Sequence, residues 1–281
     1  MQQRHKPLAF LYAVLRKYSD DKAGYHAALL TYYGFLSLFP LLLVLTTITE
    51  IVATSHPNIQ KEVIDSVTSY FPLIGDQLSV HIHGIHETGF TLLIALLFTF
   101  YGARGVASAF RYGINQIRNT PKKSLSGFPQ STLENLEFIV VAGLGLILAA
   151  SITSAVLAFD HHLIIKLLAF FVDAFVLFWT FIAIFKIVLP HKSYMNDLWL
   201  TAICASVGLV VLQSVGGLLL AHQLRHLDAL YSYFAVSLGL LFWIYLQAQV
   251  VYYSIEVGIV HGRHLWPVSF ESPDENSVPG K

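Results

Sequence analysis

Long apolar stretches separated by shorter polar segments dominate the hydrophobic pattern of this chain. Six of them are long enough to cross a bilayer, and they lie at 27–53, 90–109, 136–159, 164–189, 198–220 and 233–260. A hydrocarbon core of roughly 30 Å requires about 20 mainly apolar residues in a helix. Because the stretches are continuous, whereas barrel strands alternate in character over about ten residues, the pattern predicts six membrane-spanning helices.

The composition supports a membrane protein. Hydrophobic residues make up 55% of the chain and charged residues only 12%, whereas an average soluble domain has about 25% charged residues. The last residues, 269–281, are polar and contain two prolines and a glycine, as is typical of a disordered segment. We therefore predict an all-α, polytopic fold with one transmembrane bundle domain over 1–268 and a disordered cytoplasmic tail over 269–281.

The basic residues fall mainly on one side of the predicted membrane. Thirteen of the 17 Lys and Arg precede the first span, follow the sixth, lie between spans two and three, or lie at the turn where span four ends and span five begins. Lys61, Lys166 and Arg225 lie on the other side, and Arg104 lies inside the second span. By the positive-inside rule, both termini are expected to be cytoplasmic.

Two segments outside the spans are amphipathic. In 7–22, Leu8, Leu11 and Leu15 recur at helical spacing beside basic residues, which predicts a helix lying on an anionic leaflet; a plain juxtamembrane tail is the alternative. Between the first two spans, 55–88 carries two apolar stripes that are interrupted at Pro72 and Gly75. This pattern predicts an extracytoplasmic helical hairpin.

Polar residues inside the spans are the candidates for an internal pathway. A charged group at the bilayer centre costs about 2.5–3.5 kcal/mol on the insertion scale, so such groups normally face the bundle interior. Proline in the first span lacks an N–H and predicts a kink, near which a serine can bond freed backbone groups. The cavity or substrate-pathway candidates are Ser37, Pro40, Arg104, Asp173, Gln213, Tyr245, Gln247 and Glu256.

Two alternatives give these residues a purely structural role. The kink at Pro40 would then serve only helix packing, and Asp173 would only lock two helices together through hydrogen bonds. Asp173 is otherwise interpreted as a titrating carboxyl in an internal cavity or as the partner of Arg104. The residues leave both interpretations open.

Catalytic and metal chemistry find little support. His83 and His86, and likewise His222 and His226, have a spacing that suits a metal ion, but no cysteine lies near them and interfacial histidines explain the pattern as well. No Ser-His-Asp arrangement or phosphate-binding loop is present at usable spacing, and the formal net charge of zero argues against nucleic-acid binding. We predict no catalytic residue, no metal, no cofactor and no enzymatic activity.

Four segments carry a resemblance to a known family. The first span reads "ALLTYYGFLSLFPLLLVL", the second continues into "GARGVASAFRYGINQI", the fourth ends in "FKIVLP", and the last carries "WIYLQAQVVYYSIE" after "LYSY". Over nearly its whole length the chain resembles the YihY/BrkB family of bacterial inner-membrane proteins. It departs where the family commonly has Tyr-Gly, here Tyr231-Ser232, and Gly-Ala-Glu, here Ser254-Ile255-Glu256. The positions that match the family pattern are Tyr33, Ser37, Pro40, Gly105, Asn115, Pro190, Tyr231, Trp243, Tyr245 and Glu256.

The resemblance implies a six-helix inner-membrane protein of envelope integrity, with transport of lipid or a lipopolysaccharide precursor as the favoured role. The family's historical ribonuclease label finds no support in the residues. We therefore predict a protein that handles phospholipid or lipopolysaccharide precursor through a laterally open cavity. The alternative is a non-transporting scaffold that recruits envelope-assembly proteins. Small residues such as Gly143 and Gly216 permit close helix contacts within one chain or within a homo-oligomer.

Overall fold

A computed structural model describes residues 6–53, 89–159, 163–189, 195–224, 232–263 and 265. This part of the chain forms seven α-helices and one short 3-10 helix, Lys122–Ser124, and contains no strand. The all-α prediction is therefore confirmed for these residues. The α-helices are α1 (Lys6–Asp20), α2 (Ala23–Ala53), α3 (Gly89–Ile117), α4 (Gln130–Phe159), α5 (Leu163–Val188), α6 (Met195–Leu224) and α7 (Ser232–Gly262).

Five of these helices, α3 to α7, contain a segment that is long and apolar enough to cross a membrane. The first predicted span lies in α2, which is 31 residues long and continues through Pro40. A membrane protein with several apolar helices is thus confirmed, while the count of six spans and the kink at Pro40 stay predictions. The predicted hairpin and the predicted tail fall on 54–88 and 266–281, outside the described residues.

Helix α3 is longer than its predicted span, because it continues to Ile117 rather than ending at residue 109. It ends in a capping motif in which Asn119 adopts a positive φ of 53°. The Thr120 N–H donates to the Asn115 carbonyl and the Asn119 N–H to the Gln116 carbonyl, each at 2.9 Å. These two bonds satisfy carbonyls at the helix end, and Pro121 follows directly.

The six long helices alternate in direction and form a ring. Helix α2 packs against α3 and α7, α4 lies between α3 and α5, α6 lies between α5 and α7, and α1 packs mainly on α7. At one end of the ring, Asn115 of α3 donates to the carbonyl of Val188 at the end of α5 at 3.2 Å. We call this the basic end, since Arg111, Arg118 and Arg263 lie there. The positive-inside rule predicts that this end faces the cytoplasm, and this orientation stays a prediction.

Glycines inside the bundle allow close contacts between helices of the same chain. A Cβ on Gly208 would lie 2.7 Å from Val250 Cγ1 of α7, and one on Gly145 would lie 2.9 Å from Thr180 Cβ of α5. A Cβ on Gly216 would lie 2.8 Å from Trp243 Cζ2 and closer still to other atoms of that ring. Around Gly143, by contrast, no atom lies within 4 Å. The close contacts of Gly145, Gly208 and Gly216 are therefore made within one chain.

Replacing Gly216 with alanine is expected to lower the free energy of unfolding by about 1–3 kcal/mol, the usual cost of overpacking. Trp243 is only 1% exposed, so its ring has little room to move away. The measurement is thermal unfolding of the purified protein in detergent. Gly143→Ala is the matched control, and it should keep or raise stability because alanine is the better helix former by roughly 1 kcal/mol. Equal losses in the two variants would contradict the packing of α6 on α7.

Candidate functional site

A polar stripe runs along α3 toward the basic end. Arg104, Ser108, Arg111 and Asn115 follow one another at spacings of four, three and four residues, so their side chains share one face of the helix. At 1.5 Å per residue, the stripe is about 16 Å long. It starts well inside the apolar segment Leu93–Ile117, which means that polar groups reach from the helix end into the predicted hydrocarbon layer.

This stripe forms one wall of a cleft between α3 and α4. The cleft has a volume of about 730 Å³, within the range of about 300–1,000 Å³ that is typical of small-molecule sites. Ser131 and Asn135 contribute from α4, and Leu125 and Ser126 from the connecting loop. Tyr112, Gln116, Asn119 and Thr120 complete its lining. Most of the residues that line the cleft therefore carry a polar group.

Arg111 holds the two walls of the cleft together. Its Nη2 lies 2.7 Å from Glu134 Oε2 of α4, and its guanidinium donates to the carbonyls of Ser126 at 3.2 Å and Ser131 at 3.3 Å. Farther along the stripe, Asn135 Nδ2 donates to Ser108 Oγ at 2.9 Å. These contacts fix α4 against α3 near the basic end, and Glu134 compensates the charge of Arg111.

Asn115 connects the cleft to the core. It is 4% exposed, and its Nδ2 donates to the Arg111 carbonyl at 2.9 Å and to the Val188 carbonyl at 3.2 Å. These two acceptors fix the orientation of the amide group. Its buried Oδ1 has no hydrogen-bond partner among the described residues. An acceptor without a donor is thus present in the lining of the cleft.

Arg104 is the cation that the cleft leaves exposed. In the described part of the chain, no ion pair or hydrogen bond joins its guanidinium to another residue. An arginine at membrane depth normally faces a water-filled cavity or an anionic partner, since burying it in lipid is costly. Because Arg104 lines the cleft, it faces a cavity rather than lipid, and its charge is available to a ligand.

The side of the bundle that carries the cleft is also the least covered. The buried share of the apolar segment is 28% in α3 and 22% in α4, against 39% in each of α5, α6 and α7. On α3, Leu93, Leu97 and Tyr101 are 56%, 61% and 62% exposed. The cleft therefore continues into an apolar surface on the perimeter of the ring.

The other predicted pathway residues lie elsewhere in the bundle. Ser37 is at a tight contact of α2 with α3, where a Cβ on Gly102 would be 2.7 Å from Ser37 Cα, and its Oγ donates to the Gly34 carbonyl at 2.9 Å. Asp173 is 5% exposed within α5. Among the described residues, Arg104 is the member of the predicted set that lines the cleft.

The remaining candidates belong to α2, α6 and α7. Gln213, Tyr245 and Gln247 are half-buried, and Tyr245 packs against the main hydrophobic core. Pro40 lies within α2, where the structure describes the backbone only. The lining of the cleft includes none of these four.

Glu256 forms a second polar site at the basic end, where α1 meets α7. Its side chain is fully buried, and its Oε2 lies 3.1 Å from Lys17 Nζ, although neither carboxylate oxygen makes a hydrogen bond of good geometry within the described residues. Lys17 also pairs with Asp21. Helix α1 thus supplies, through Lys17, the positive charge that compensates the buried carboxylate of Glu256.

Tyr18 continues the contact between α1 and α7. Its hydroxyl donates to Gln249 Oε1, and its ring stacks on Tyr253 with centroids 4.0 Å apart. Burial, reinforced by the neighbouring Tyr253 and Tyr245, raises the pKa of Tyr18. The hydroxyl therefore remains a donor at neutral pH.

Metal chemistry gains no support from the part of the chain that the structure describes. There, no group of three His, Cys, Asp or Glu side chains could hold a metal ion. The predicted outer-side histidine pairs fall on residues whose side chains are outside that part, namely His83, His86, His222 and His226. The prediction that the chain has no metal site stays a prediction.

Comparison with known families identifies the chain. It matches the profile of the family described as Virulence factor BrkB over residues 14–269, which includes all of the long helices and the second half of α1.

The chain belongs to the BrkB virulence factor family.

Membership in the BrkB family confirms the resemblance inferred from the sequence motifs. No curated protein and no solved structure matches the chain. The BrkB assignment gives a family and a membrane architecture, while the role of the cleft must be inferred from its own geometry.

Sequence reasoning missed most of the cleft. Ser108 and Asn135 were not among the predicted residues. Arg111 was counted only among the basic residues that set the membrane orientation, and Asn115 was named only as a position that matches the family pattern. The spacing of the stripe on α3 is a signal that could have identified the first wall. The second wall could not have been found in this way, because it depends on how α4 packs.

Proposed function

We propose that this member of the BrkB family handles membrane lipid, and that the lipid head group moves along the polar cleft between α3 and α4. The proposal includes the finer expectations from the sequence: a bacterial inner-membrane location, cytoplasmic termini, a role in envelope integrity, and phospholipid or lipopolysaccharide precursor as cargo. It requires no cofactor, no catalytic residue and no nucleic acid. The observation that carries it is a polar cleft that continues into an exposed apolar surface on the perimeter of the bundle.

The physical basis is the cost of moving a polar head group through hydrocarbon. Moving a polar group from water into an apolar medium without hydrogen-bond partners costs several kcal/mol of free energy. The stripe from Arg104 to Asn115 offers such partners over about 16 Å of helix, while the acyl chains can stay in the surrounding lipid. A cleft open at its side therefore suits lipid better than it suits a fully water-soluble substrate.

Ser108→Trp is expected to abolish lipid movement, because an indole at this position would fill the cleft beside Asn135. The protein is reconstituted into vesicles of phosphatidylethanolamine and phosphatidylglycerol that contain a trace of fluorescent phospholipid. Dithionite then reports transbilayer movement by quenching the label that reaches the outer leaflet. Leu144→Trp, which adds the same bulk at a 56% exposed position of α4, should retain the wild-type rate.

A scaffold would behave differently in these experiments. The wild-type protein would not accelerate lipid movement, and Ser108→Trp would still restore barrier function to a deletion strain. This pair of results would overturn lipid handling in favour of recruitment of envelope-assembly proteins.

A further inference from the structure

We infer that the cleft selects lipids by the phosphate of the head group, with Arg104 as the cation that binds it. This inference rests on the proposed lipid-handling function and specifies the class of lipid. It follows from three features of the cleft: the sign of its charge, the donors around it, and the apolar surface that continues from it.

The charge of the cleft is positive. Its lining contains two charged residues, Arg104 and Arg111, and no carboxylate. Arg111 is held in an ion pair with Glu134, whose side chain belongs to the lining of a neighbouring pocket. Arg104 is exposed and has no counter-ion in the described part of the chain. An anionic ligand would therefore meet one uncompensated positive charge.

The chemistry of the lining suits phosphate. A guanidinium presents N–H groups in a planar fork that matches phosphate oxygens, and such charge-assisted bonds are stronger than neutral ones. The hydroxyls of Ser108 and Ser131 and the amide of Asn135 are further hydrogen-bonding groups along the same cleft.

The order of apolar and polar side chains along α3 favours a lipid over free phosphate. Leu93, Leu97 and Tyr101 precede Arg104 at spacings of four, four and three residues, so they share its face of the helix. All three are more than half exposed. One helix face therefore presents apolar side chains and then cationic and polar ones, the same order as in a phospholipid whose head group points toward the basic end.

The test compares lipid binding by the full-length protein in mild detergent, with native mass spectrometry as the readout. Phosphatidylglycerol and diacylglycerol of the same acyl chains are added separately, so that the lipids differ in the phosphoglycerol head group alone. Arg104→Gln should weaken binding of phosphatidylglycerol roughly tenfold, as expected for loss of a charge-assisted contact, and leave diacylglycerol unchanged. Arg104→Lys should keep most of the binding, because the positive charge remains.

Lys123→Gln is the matched control, since it removes one exposed positive charge from the loop after α3 without touching the lining of the cleft. It should bind both lipids as the wild type does. If Arg104→Gln and Lys123→Gln have equal effects, Arg104 is not the recognition group and the inference fails. Millimolar inorganic phosphate should not displace phosphatidylglycerol, and displacement would show that the site takes free phosphate instead.

The failure of this inference can be distinguished from the failure of the proposed function. Equal binding of both lipids by the wild type would overturn phosphate selection and leave lipid handling intact. Absence of binding of either lipid, together with absence of lipid movement in vesicles, would overturn both.

Discussion

Replacing Asp197 with alanine is expected to lower the free energy of unfolding by about 3 kcal/mol or more, since removal of one partner of a buried ion pair is strongly destabilising. Arg118 Nη2 donates to Asp197 Oδ2 at 3.3 Å, and the two side chains are 4% and 1% exposed. Burial lowers the pKa of Arg118, and the carboxylate of Asp197 opposes this effect. Thermal unfolding in detergent, followed by circular dichroism, measures the loss.

Two comparisons make this prediction specific. Asp20→Ala removes an exposed ion pair, because Arg16 Nε and Asp20 Oδ2 are 3.8 Å apart and Asp20 is 68% exposed, so it should have almost no effect. The double variant Arg118→Met/Asp197→Leu removes both charges and should recover much of the lost stability. If Asp197→Ala and Asp20→Ala proved equally mild, the ion pair would not join α3 to α6 as the structure indicates.

The sequence predicts the apolar helices well, because the length of a hydrophobic run is a local property that the bilayer fixes. It does not predict how the helix ends meet. Arg118 and Asp197 lie 79 residues apart, and they meet because the end of α3 and the start of α6 both lie at the basic end. Arg263 then donates to the Arg118 carbonyl at 3.1 Å. Such contacts depend on the arrangement of the helices in the ring, which hydropathy alone does not determine.

The candidate site shows the same limit. Arg104 was predicted from its cost in the membrane, and the structure places it in the lining of the cleft. The other residues of that lining, such as Ser108 and Asn135, could not be distinguished from other polar residues until α4 was placed beside α3. Glu256 was likewise predicted, but its partner Lys17 comes from α1, which the sequence pattern assigned to the membrane surface.

Both faces of α1 carry apolar residues, which explains how the helix can pack on the bundle and still present a surface stripe. Ala9, Ala13 and Val14 are buried, and Ala13 and Val14 form a small cluster with Val260 of α7. On the opposite side, Leu8 and Leu11 are more than half exposed. The sequence stripe that predicts a surface helix is therefore the exposed face, and its contact with a leaflet stays a prediction.

Lys17→Met is expected to lower the free energy of unfolding by about 3 kcal/mol and to release α1 from α7, because it leaves the fully buried Glu256 without a counter-ion. The released helix should become sensitive to limited trypsin digestion at Arg16 and Lys22. Thermal unfolding and the rate of this cleavage measure the two effects. Arg16→Met is the control, since Arg16 pairs with the exposed Asp20. Because this control removes the trypsin site at residue 16, the cleavage rates of the two variants are compared at Lys22 alone.

The double variant Lys17→Met/Glu256→Gln separates charge from packing. Glutamine keeps the size of the glutamate side chain but needs no counter-ion, so this variant should regain stability over Lys17→Met if the buried carboxylate causes the loss. If it is no more stable than Lys17→Met, then the loss came from the contacts of the lysine stem or from its pairing with Asp21. Recovery would mean that the uncompensated carboxylate of Glu256, rather than a loss of packing, destabilises Lys17→Met, and that the remaining contacts of Tyr18, Ala13 and Val14 suffice to hold α1 on α7.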